Sequence, residues 1–188
     1  MTTVAFQDVV RELSPSLGAY LERMVGDPAT AEDLLQESLI KISKGLATFE
    51  GKSSLKTWAY TIATRVAIDY FRRPDQQRNM VELEEAQEPW DVDVDFSEAF
   101  IVDEMNACIR EVIDSLPEDY RAALVLHDLE GLTAQETADV CGTSLATAKI
   151  RIHRGRKRLE KALERACTFY TEDEILHCDR KNPTDDCS

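Results

Sequence analysis

The sequence lacks any apolar run near the ~18 residues that a membrane-spanning helix needs. It also lacks a basic segment leading into an apolar run: residues 1–11 carry the acidic Asp8, so we expect no signal peptide and a cytoplasmic location. No glycine-rich phosphate loop or Ser/His/Asp arrangement is present, and the 3 histidines are scattered. These absences exclude the commonest catalytic sites, and we expect neither an enzyme nor a bound cofactor.

Cysteine is scarce and odd in number, with 5 in the chain, which argues against a disulfide framework. We expect Cys108 and Cys141 in the core. The tail, 167–188, holds three cysteines and one histidine, a combination of ligands that zinc accepts, although their spacing matches no compact zinc pattern. These weak metal candidates are Cys167, His177, Cys178 and Cys187. Redox sensing is an alternative, and incidental cysteines in a disordered tail are the favoured interpretation.

The net charge of −14 at first opposes nucleic-acid binding, but the charge is unevenly distributed. Lys+Arg against Asp+Glu number 9 and 10 in residues 1–75, 1 and 10 in 76–105, 10 and 10 in 106–166, and 2 and 6 in 167–188. The acidity therefore lies in a middle segment and the tail, and the two remaining blocks are nearly neutral.

Helical periodicity dominates both neutral blocks, which predicts an all-α fold of two small helical domains joined by an acidic linker. In the first domain, 1–75, apolar residues recur at three- and four-residue steps over about 9–24, 31–46 and 55–72. The segment 76–103 is polar and acidic without a sustained period, so we expect a linker that is partly extended.

The second domain, 104–166, is predicted to contain a helix-turn-helix. Expected helices at 102–116 and 117–129 precede a capping box formed by Thr133 and Glu136. Gly142 suits the turn that follows, and Thr143 or Ser144 then caps a helix over about 145–165. Two short helices joined in this way are typical of DNA-binding proteins.

The helix at 145–165 carries a basic arc, because residues 149–161 hold 7 Lys+Arg and one acid. The arc also includes Lys157 and Lys161. Four residues share one side of the helix by their three- and four-residue spacing and could meet base edges: Lys149, Ile150, His153 and Arg154. Arg151, Arg156 and Arg158 are expected at phosphates. A solvated basic face on an ordinary helix is the alternative.

The C-terminal motifs resemble those of a known family. The segments LPEDYR at 116–121, LHDLEGLT at 126–133 and TAKIRIHRGR at 147–156 are similar to the C-terminal domain of extracytoplasmic-function sigma factors. The resemblance implies that this domain reads the minus-thirty-five promoter element, with His127 among the contacting residues. His127 and Ile150 depart from the residues common in that family.

The N-terminal half independently resembles the same family. The segment AEDLLQE at 31–37 is similar to its polymerase-binding helix, which implicates Asp33, Leu34, Gln36 and Glu37. The segments FEGKSSLKTW at 49–58 and IDYFRR at 68–73 resemble its minus-ten-recognising region. The residues thereby implicated in promoter binding are Lys52, Ser53, Ser54, Lys56, Trp58, Tyr60, Arg65, Arg72 and Arg73. Trp58 and Tyr60 are expected to stack on unpaired bases, although a core position is the stronger alternative for Trp58.

The resemblance implies a non-catalytic sigma factor with core RNA polymerase, promoter DNA and an anti-sigma factor as partners, in a stress or envelope response. Two alternatives stay open from the residues alone. A conventional helix-turn-helix regulator would bind its operator tightly without polymerase. A metal- or thiol-responsive protein that sequesters a partner would depend on the tail.

Overall fold

The N-terminal unit consists of three helices. A computed structural model of the chain describes residues 6–73, 113–172 and 175–180. Helices α1 (Phe6–Val25), α2 (Pro28–Gly45) and α3 (Leu55–Phe71) lie in the first of these ranges, with a short 3-10 turn at Leu46–Thr48. Asp27 begins α2 because its carboxylate accepts from the Thr30 N–H at 2.8 Å, and Pro28 occupies the first turn.

The C-terminal unit is also helical. It contains α4 (Glu118–Leu124), α5 (Ala134–Cys141) and α6 (Leu145–Ala166), and a π-helical turn at Val125–Leu129 continues α4. The predicted all-α architecture with a helix-turn-helix is thus confirmed for the two described units. The predicted linker and most of the helix expected at 102–116 lie outside the described residues.

The tail departs from expectation. Strands β1 (Cys167–Glu172) and β2 (Ile175–Arg180) pair as an antiparallel hairpin directly after α6. The expectation of a disordered tail is therefore wrong for these residues. The run from Thr168 to Thr171 is β-branched or aromatic throughout, which is a strand signal that the helical periodicity around it obscured.

One hydrophobic core runs through both units. In the N-terminal unit it is centred on Tyr20 of α1, which is fully buried and hydrogen-bonds Thr64 of α3 at 2.8 Å. From the C-terminal unit, Leu126 and Val140 join the same cluster. The two units are therefore packed on each other, with α5 against α3.

Candidate nucleic-acid and polymerase interfaces

Local hydrogen bonds build the helix-turn-helix. The Thr133 hydroxyl accepts from the Glu136 N–H at 3.2 Å, and the Glu136 carboxylate accepts from the Thr133 N–H at 2.9 Å, so the predicted capping box is confirmed. These bonds from Thr133 hold the pKa of Glu136 below its usual value. Gly142 ends α5 with a φ of 64°. Ser144, rather than Thr143, caps α6 by accepting from a backbone N–H at 3.1 Å.

Four side chains form an exposed line along α6, here called the basic stripe: Lys149, His153, Lys157 and Lys161. They lie four residues apart and therefore share one side of the helix. The opposite side is held in the core by Ala148, Ile152 and Leu159. Within the part of the chain that the structure describes, the stripe forms no ion pair. Ile150 and Arg154 flank it and are half-buried.

Three arginines expected at phosphates instead contact the protein itself. Arg151 forms an ion pair with Asp119 at 2.6 Å. Arg156 donates from Nε to Asp128 at 2.9 Å. The guanidinium of Arg158 lies 4.4 Å from the centre of the Tyr120 ring. In this arrangement these arginines are bound by Asp119 and Tyr120 of α4 and by Asp128 of the π-helical turn, and their expected contact with phosphates stays a prediction.

His127 lies in the π-helical turn, away from the basic stripe in sequence. Its Nδ1–H donates to the Leu132 carbonyl at 2.7 Å, because a carbonyl can only accept, and this bond selects the tautomer. The side chain of His127 is 29% exposed. The bond therefore helps to hold the loop before α5, and the side chain stays partly exposed.

The loop at 49–54 presents small and polar residues before α3. Gly51 has a φ of 70°, and Lys52 and Ser53 are exposed, with Lys52 paired to Glu50. Ser54 accepts from the N–H of residue 57 at 3.0 Å and caps α3. Its hydroxyl therefore has a structural role.

The two aromatic residues expected to stack on bases differ in placement. Trp58 is half-buried, and the centre of its ring lies 4.9 Å from that of Phe49. Most of its side chain therefore packs inside the protein, as the core alternative expects. Tyr60 is fully buried and its hydroxyl donates to Glu130 at 2.6 Å. Tyr60 offers no exposed ring face to DNA in this arrangement, because its ring packs against Tyr20 in the core and its hydroxyl is bound to Glu130. Its expected stacking on bases stays a prediction.

The cations expected near the minus-ten strand are exposed. Arg65 and Arg72 project from α3 and its end. Arg73 approaches Glu37 at 3.8 Å, and Lys56 donates to the Glu130 carbonyl at 3.1 Å. Arg65 and Arg72 are consequently the best placed of the four to meet a DNA backbone in this arrangement.

Helix α2 presents part of the expected polymerase-binding set. Asp33 and Gln36 are exposed, and Glu37 pairs with Lys41 at 2.9 Å. Leu34 is only 3% exposed, so its expected contact with polymerase is corrected to a core position. It lies on the inward face of the same helical period.

Sequence reasoning missed Ile40. This side chain is 54% exposed and extends the line of Asp33, Gln36 and Glu37 by one turn. Beside it lies an open apolar groove lined by Phe6, Leu39, Ile40, Ser43 and Lys44. The signal was available, since Ile40 falls outside the apolar face that the neighbouring leucines define.

The hairpin register bears on the weak metal candidates. Cys167 is paired with Arg180, and Cys178 with Phe169, so the two cysteines are not directly opposite each other. His177 is paired with Tyr170. Within the described ranges, no group of three or more histidine, cysteine or acidic residues is placed to hold a metal ion. Cys187 and Cys108 lie outside the described ranges.

None of the helices described here is both long and apolar enough to cross a bilayer. Two family models match the chain: "Sigma-70 region 2" over residues 9–78 and "Sigma-70, region 4" over residues 106–159. The first covers α1 to α3, and the second covers the helix-turn-helix.

Characterised relatives span most of the chain. It is 34% identical to the RNA polymerase sigma-H factor of Pseudomonas aeruginosa, covering 85% of this chain and 86% of that protein. It is 34% identical to the ECF RNA polymerase sigma factor SigX of Bacillus subtilis, over 90% of this chain and 89% of that protein. Among solved structures, it is similar to the sigma factor RpoE of Bartonella quintana, crystallised with the anti-sigma factor NepR. That match has a TM-score of 0.65 and 27% identity over 85% of this chain and 96% of that one.

Proposed function

Because the chain belongs to the extracytoplasmic-function group of sigma-70 factors, we propose that it binds core RNA polymerase and directs initiation at a particular set of promoters. The observation that carries this proposal is the basic stripe on α6. The chain has a net charge of −14, yet the second helix of its capped helix-turn-helix carries an exposed line of basic side chains. Such a line is suited to binding the polyanion DNA in its major groove.

The two units divide the work in this proposal. The basic stripe, with Ile150 and Arg154 beside it, reads the minus-thirty-five element. Lys52, Arg65 and Arg72 contact the minus-ten strand near the loop at 49–54. The exposed line on α2, from Asp33 to Ile40, binds polymerase through carboxylates at one end and an apolar side chain at the other. This pairing of charge with an apolar anchor is common in protein interfaces.

Partners and setting follow from the family. An anti-sigma factor holds the protein inactive, as the pairing of the similar RpoE with NepR suggests. The protein acts as a non-catalytic subunit in the cytoplasm, where bacterial transcription takes place, in a stress or envelope response. Catalysis belongs to the polymerase.

Run-off transcription with core polymerase on genomic fragments tests the proposal. The wild-type chain is expected to start discrete transcripts. The variant Lys149→Ala/His153→Ala is expected to reduce them at least tenfold, since each good base contact contributes ~1–3 kcal/mol of discrimination. It should still compete with wild type for core polymerase, because α2 is unchanged.

Two further variants complete the experiment. Asp33→Ala/Glu37→Ala should lose the competition for core polymerase, which separates enzyme binding from promoter reading. Arg11→Ala removes an exposed cation on α1, remote in sequence from α6, and should transcribe normally. If wild type starts no transcript on any fragment, or Arg11→Ala is as defective as the α6 variant, the proposal fails.

A further inference from the structure

Two arginines of α6 border the basic stripe from opposite sides. A helix turns by about 100° per residue, so Arg151 and Arg156 lie about 140° apart around its axis. The buried Ile152 lies on the short side between them, and the stripe from Lys149 to Lys161 occupies the long side. Both arginines are partly buried, with 23% and 29% of their side chains exposed. The stripe is therefore flanked by a guanidinium group at each edge.

An acid from a neighbouring element holds the guanidinium group of Arg156. Its Nε and Nη2 donate to the two carboxylate oxygens of Asp128 in the π-helical turn, with 2.9 Å between Nε and Oδ2. Only 22% of the Asp128 side chain is exposed. A bidentate pair of this kind fixes the plane of the guanidinium group as well as its position. Arg156 consequently has a set orientation before any DNA is bound.

The opposite edge of the stripe is held by the first turn of α4. Arg151 donates from Nη2 to Asp119 at 2.6 Å, and the guanidinium of Arg158 lies 4.4 Å from the centre of the Tyr120 ring. Arg151 and Arg158 share one side of α6, because seven residues make almost two complete turns. Asp119 accepts one bond from Arg151 and is 54% exposed, so it holds this arginine less firmly than Asp128 holds Arg156.

The core already holds α6 in place without these ion pairs. Ala148, Ile152 and Leu159 are buried, and Gly155 packs so closely that an added Cβ would lie 3.4 Å from the Tyr120 carbonyl oxygen. Partly exposed ion pairs contribute little to stability in comparison. A carboxylate beside a helix that binds DNA also repels phosphates. Its presence at each edge of the stripe is therefore explained better by the arginine that it holds.

The dimensions of DNA give the two arginines a use. The major groove is about 12 Å wide, so a helix that lies in it brings its two sides close to the two sugar-phosphate strands. In that position Arg156 would approach one strand and Arg151 the other. Phosphate contacts set the register and orientation of a protein on the duplex. Guanidinium groups that are already ordered supply such contacts at a smaller cost in conformational entropy.

We propose that Asp128 and Asp119 are positioning residues of the DNA interface. They hold Arg156 and Arg151 at the two edges of the basic stripe, so that each arginine meets a phosphate of a different strand. The inference rests on the proposed function only in taking α6 as the helix that enters the major groove. It adds to the interface two acids that touch no DNA themselves.

Binding of a mixed-sequence DNA duplex by the full chain, at several salt concentrations, tests the proposal. Asp128→Asn keeps the shape of the side chain and removes its charge. An acid that only repels phosphates predicts tighter binding by this variant, whereas a positioning acid predicts weaker binding. We expect binding to weaken about threefold or more. The slope of log K against log salt concentration should become less steep by up to ~0.9, the value for one phosphate contact. Fluorescence anisotropy measures both quantities.

Variants of the arginine test the pairing from the other side. Arg156→Lys keeps the charge but cannot form the bidentate pair, so it should weaken binding as Asp128→Asn does. The double variant Arg156→Lys/Asp128→Asn should bind no more weakly than either single variant, because both changes remove the same contact. Asp128→Glu keeps a carboxylate and should recover part of the lost affinity.

Glu160→Gln is the matched control. Glu160 is an exposed acid of the same helix, and it forms no ion pair with the residues that the structure describes. Removing its charge should leave binding unchanged or tighten it, since this acid holds no arginine. Urea unfolding followed by circular dichroism checks that Asp128→Asn is folded under the binding conditions. If it is not, Arg156→Lys carries the test.

The outcomes separate the positioning role from the proposed function. Tighter binding by Asp128→Asn, or equal weakening by Glu160→Gln, would contradict the positioning role. Weaker binding with an unchanged salt slope would also contradict it, because no phosphate contact would have been lost. A wild-type chain that binds no duplex at low salt overturns the inference even where run-off transcription succeeds. Weaker binding with a shallower slope supports it whether or not a promoter is transcribed.

Discussion

Thr133 and Glu136 begin α5 with a reciprocal pair of hydrogen bonds, one of which depends on an ionised carboxylate. Glu136 is only partly buried, yet the bonds from Thr133 lower its pKa from 4.5. A depressed pKa in the folded protein means that the stabilising contribution is fully present above about pH 4.5 and is lost as the pH falls through the folded-state pKa. The cap thereby links the stability of the helix-turn-helix to acidity.

Thr133→Ala is expected to lower the free energy of unfolding by about 1 kcal/mol at pH 7, the usual loss at a helix N-cap. The difference from wild type should shrink below pH 4.5 without vanishing, because the hydroxyl also accepts from a backbone N–H whose state is independent of pH. Urea unfolding at pH 7 and pH 3.5 measures both. Thr133→Ser keeps the hydroxyl and should behave as wild type; a pH-independent difference for the alanine variant would contradict the argument.

Two glycines of the helix-turn-helix differ in what limits their replacement: the space around the residue or its backbone conformation. Gly155 lies inside α6 and is buried, and an added Cβ would lie 3.4 Å from the Tyr120 carbonyl oxygen, an ordinary contact. Gly142 lies in open space but has a φ of 64°, which a side chain disfavours. Backbone conformation, rather than room, therefore decides which glycine can be replaced.

Gly155→Ala is expected to stabilise the protein by roughly 0.5–1 kcal/mol, because alanine exceeds glycine in helix propensity by about that amount. Gly142→Ala should destabilise it by about 1–2 kcal/mol despite the empty space around it. Thermal unfolding of both variants under one condition measures the contrast. A loss of stability for Gly155→Ala would mean that the contact with α4 cannot accept a methyl group.

The elements that could be predicted from sequence are those formed by near neighbours. The capping box and the glycine turn follow from residues within a few positions of each other, so both were predictable. The π-helical turn was not predictable. It is defined by the hydrogen bond from the Glu130 N–H to the Val125 carbonyl, and this wider turn leaves no repeating pattern in the sequence. The predicted helix bounds differ by a few residues, as helix ends depend on capping contacts.

Partners distant in sequence account for what could not be predicted in the candidate site. Arg156 meets Asp128 across 28 positions, and Tyr60 meets Glu130 across 70. Helical periodicity identifies the side of a helix on which a residue lies, but not which element covers that side. Charge composition likewise shows a basic arc on α6 without showing that the three arginines on its flanks are already bound.

The whole molecule carries its charge in a way that opposes its proposed ligand. The net charge of −14 repels DNA, and the segment 76–105 contributes 10 acids against a single cation. A short-range attraction at the basic stripe must therefore overcome a long-range repulsion, so the free chain should bind duplex DNA poorly. Under the proposed function, core polymerase relieves this repulsion by holding the units against the promoter.

Neutralising part of the acidic segment by Glu-to-Gln substitution tests whether this repulsion limits DNA binding. Replacing Glu82, Glu84, Glu85 and Glu88 with Gln changes the net charge from −14 to −10. We expect the free chain to bind a minus-thirty-five duplex up to about tenfold more tightly at low salt, with a smaller gain at physiological ionic strength, since salt screens repulsion between exposed charges. Fluorescence anisotropy measures the affinity. Replacing the same four residues with Asp keeps the charge and should change nothing, and adding Lys149→Ala should remove the gain. Equal tightening by the Asp and Gln sets would show that chain composition, rather than repulsion, limits binding of the free protein.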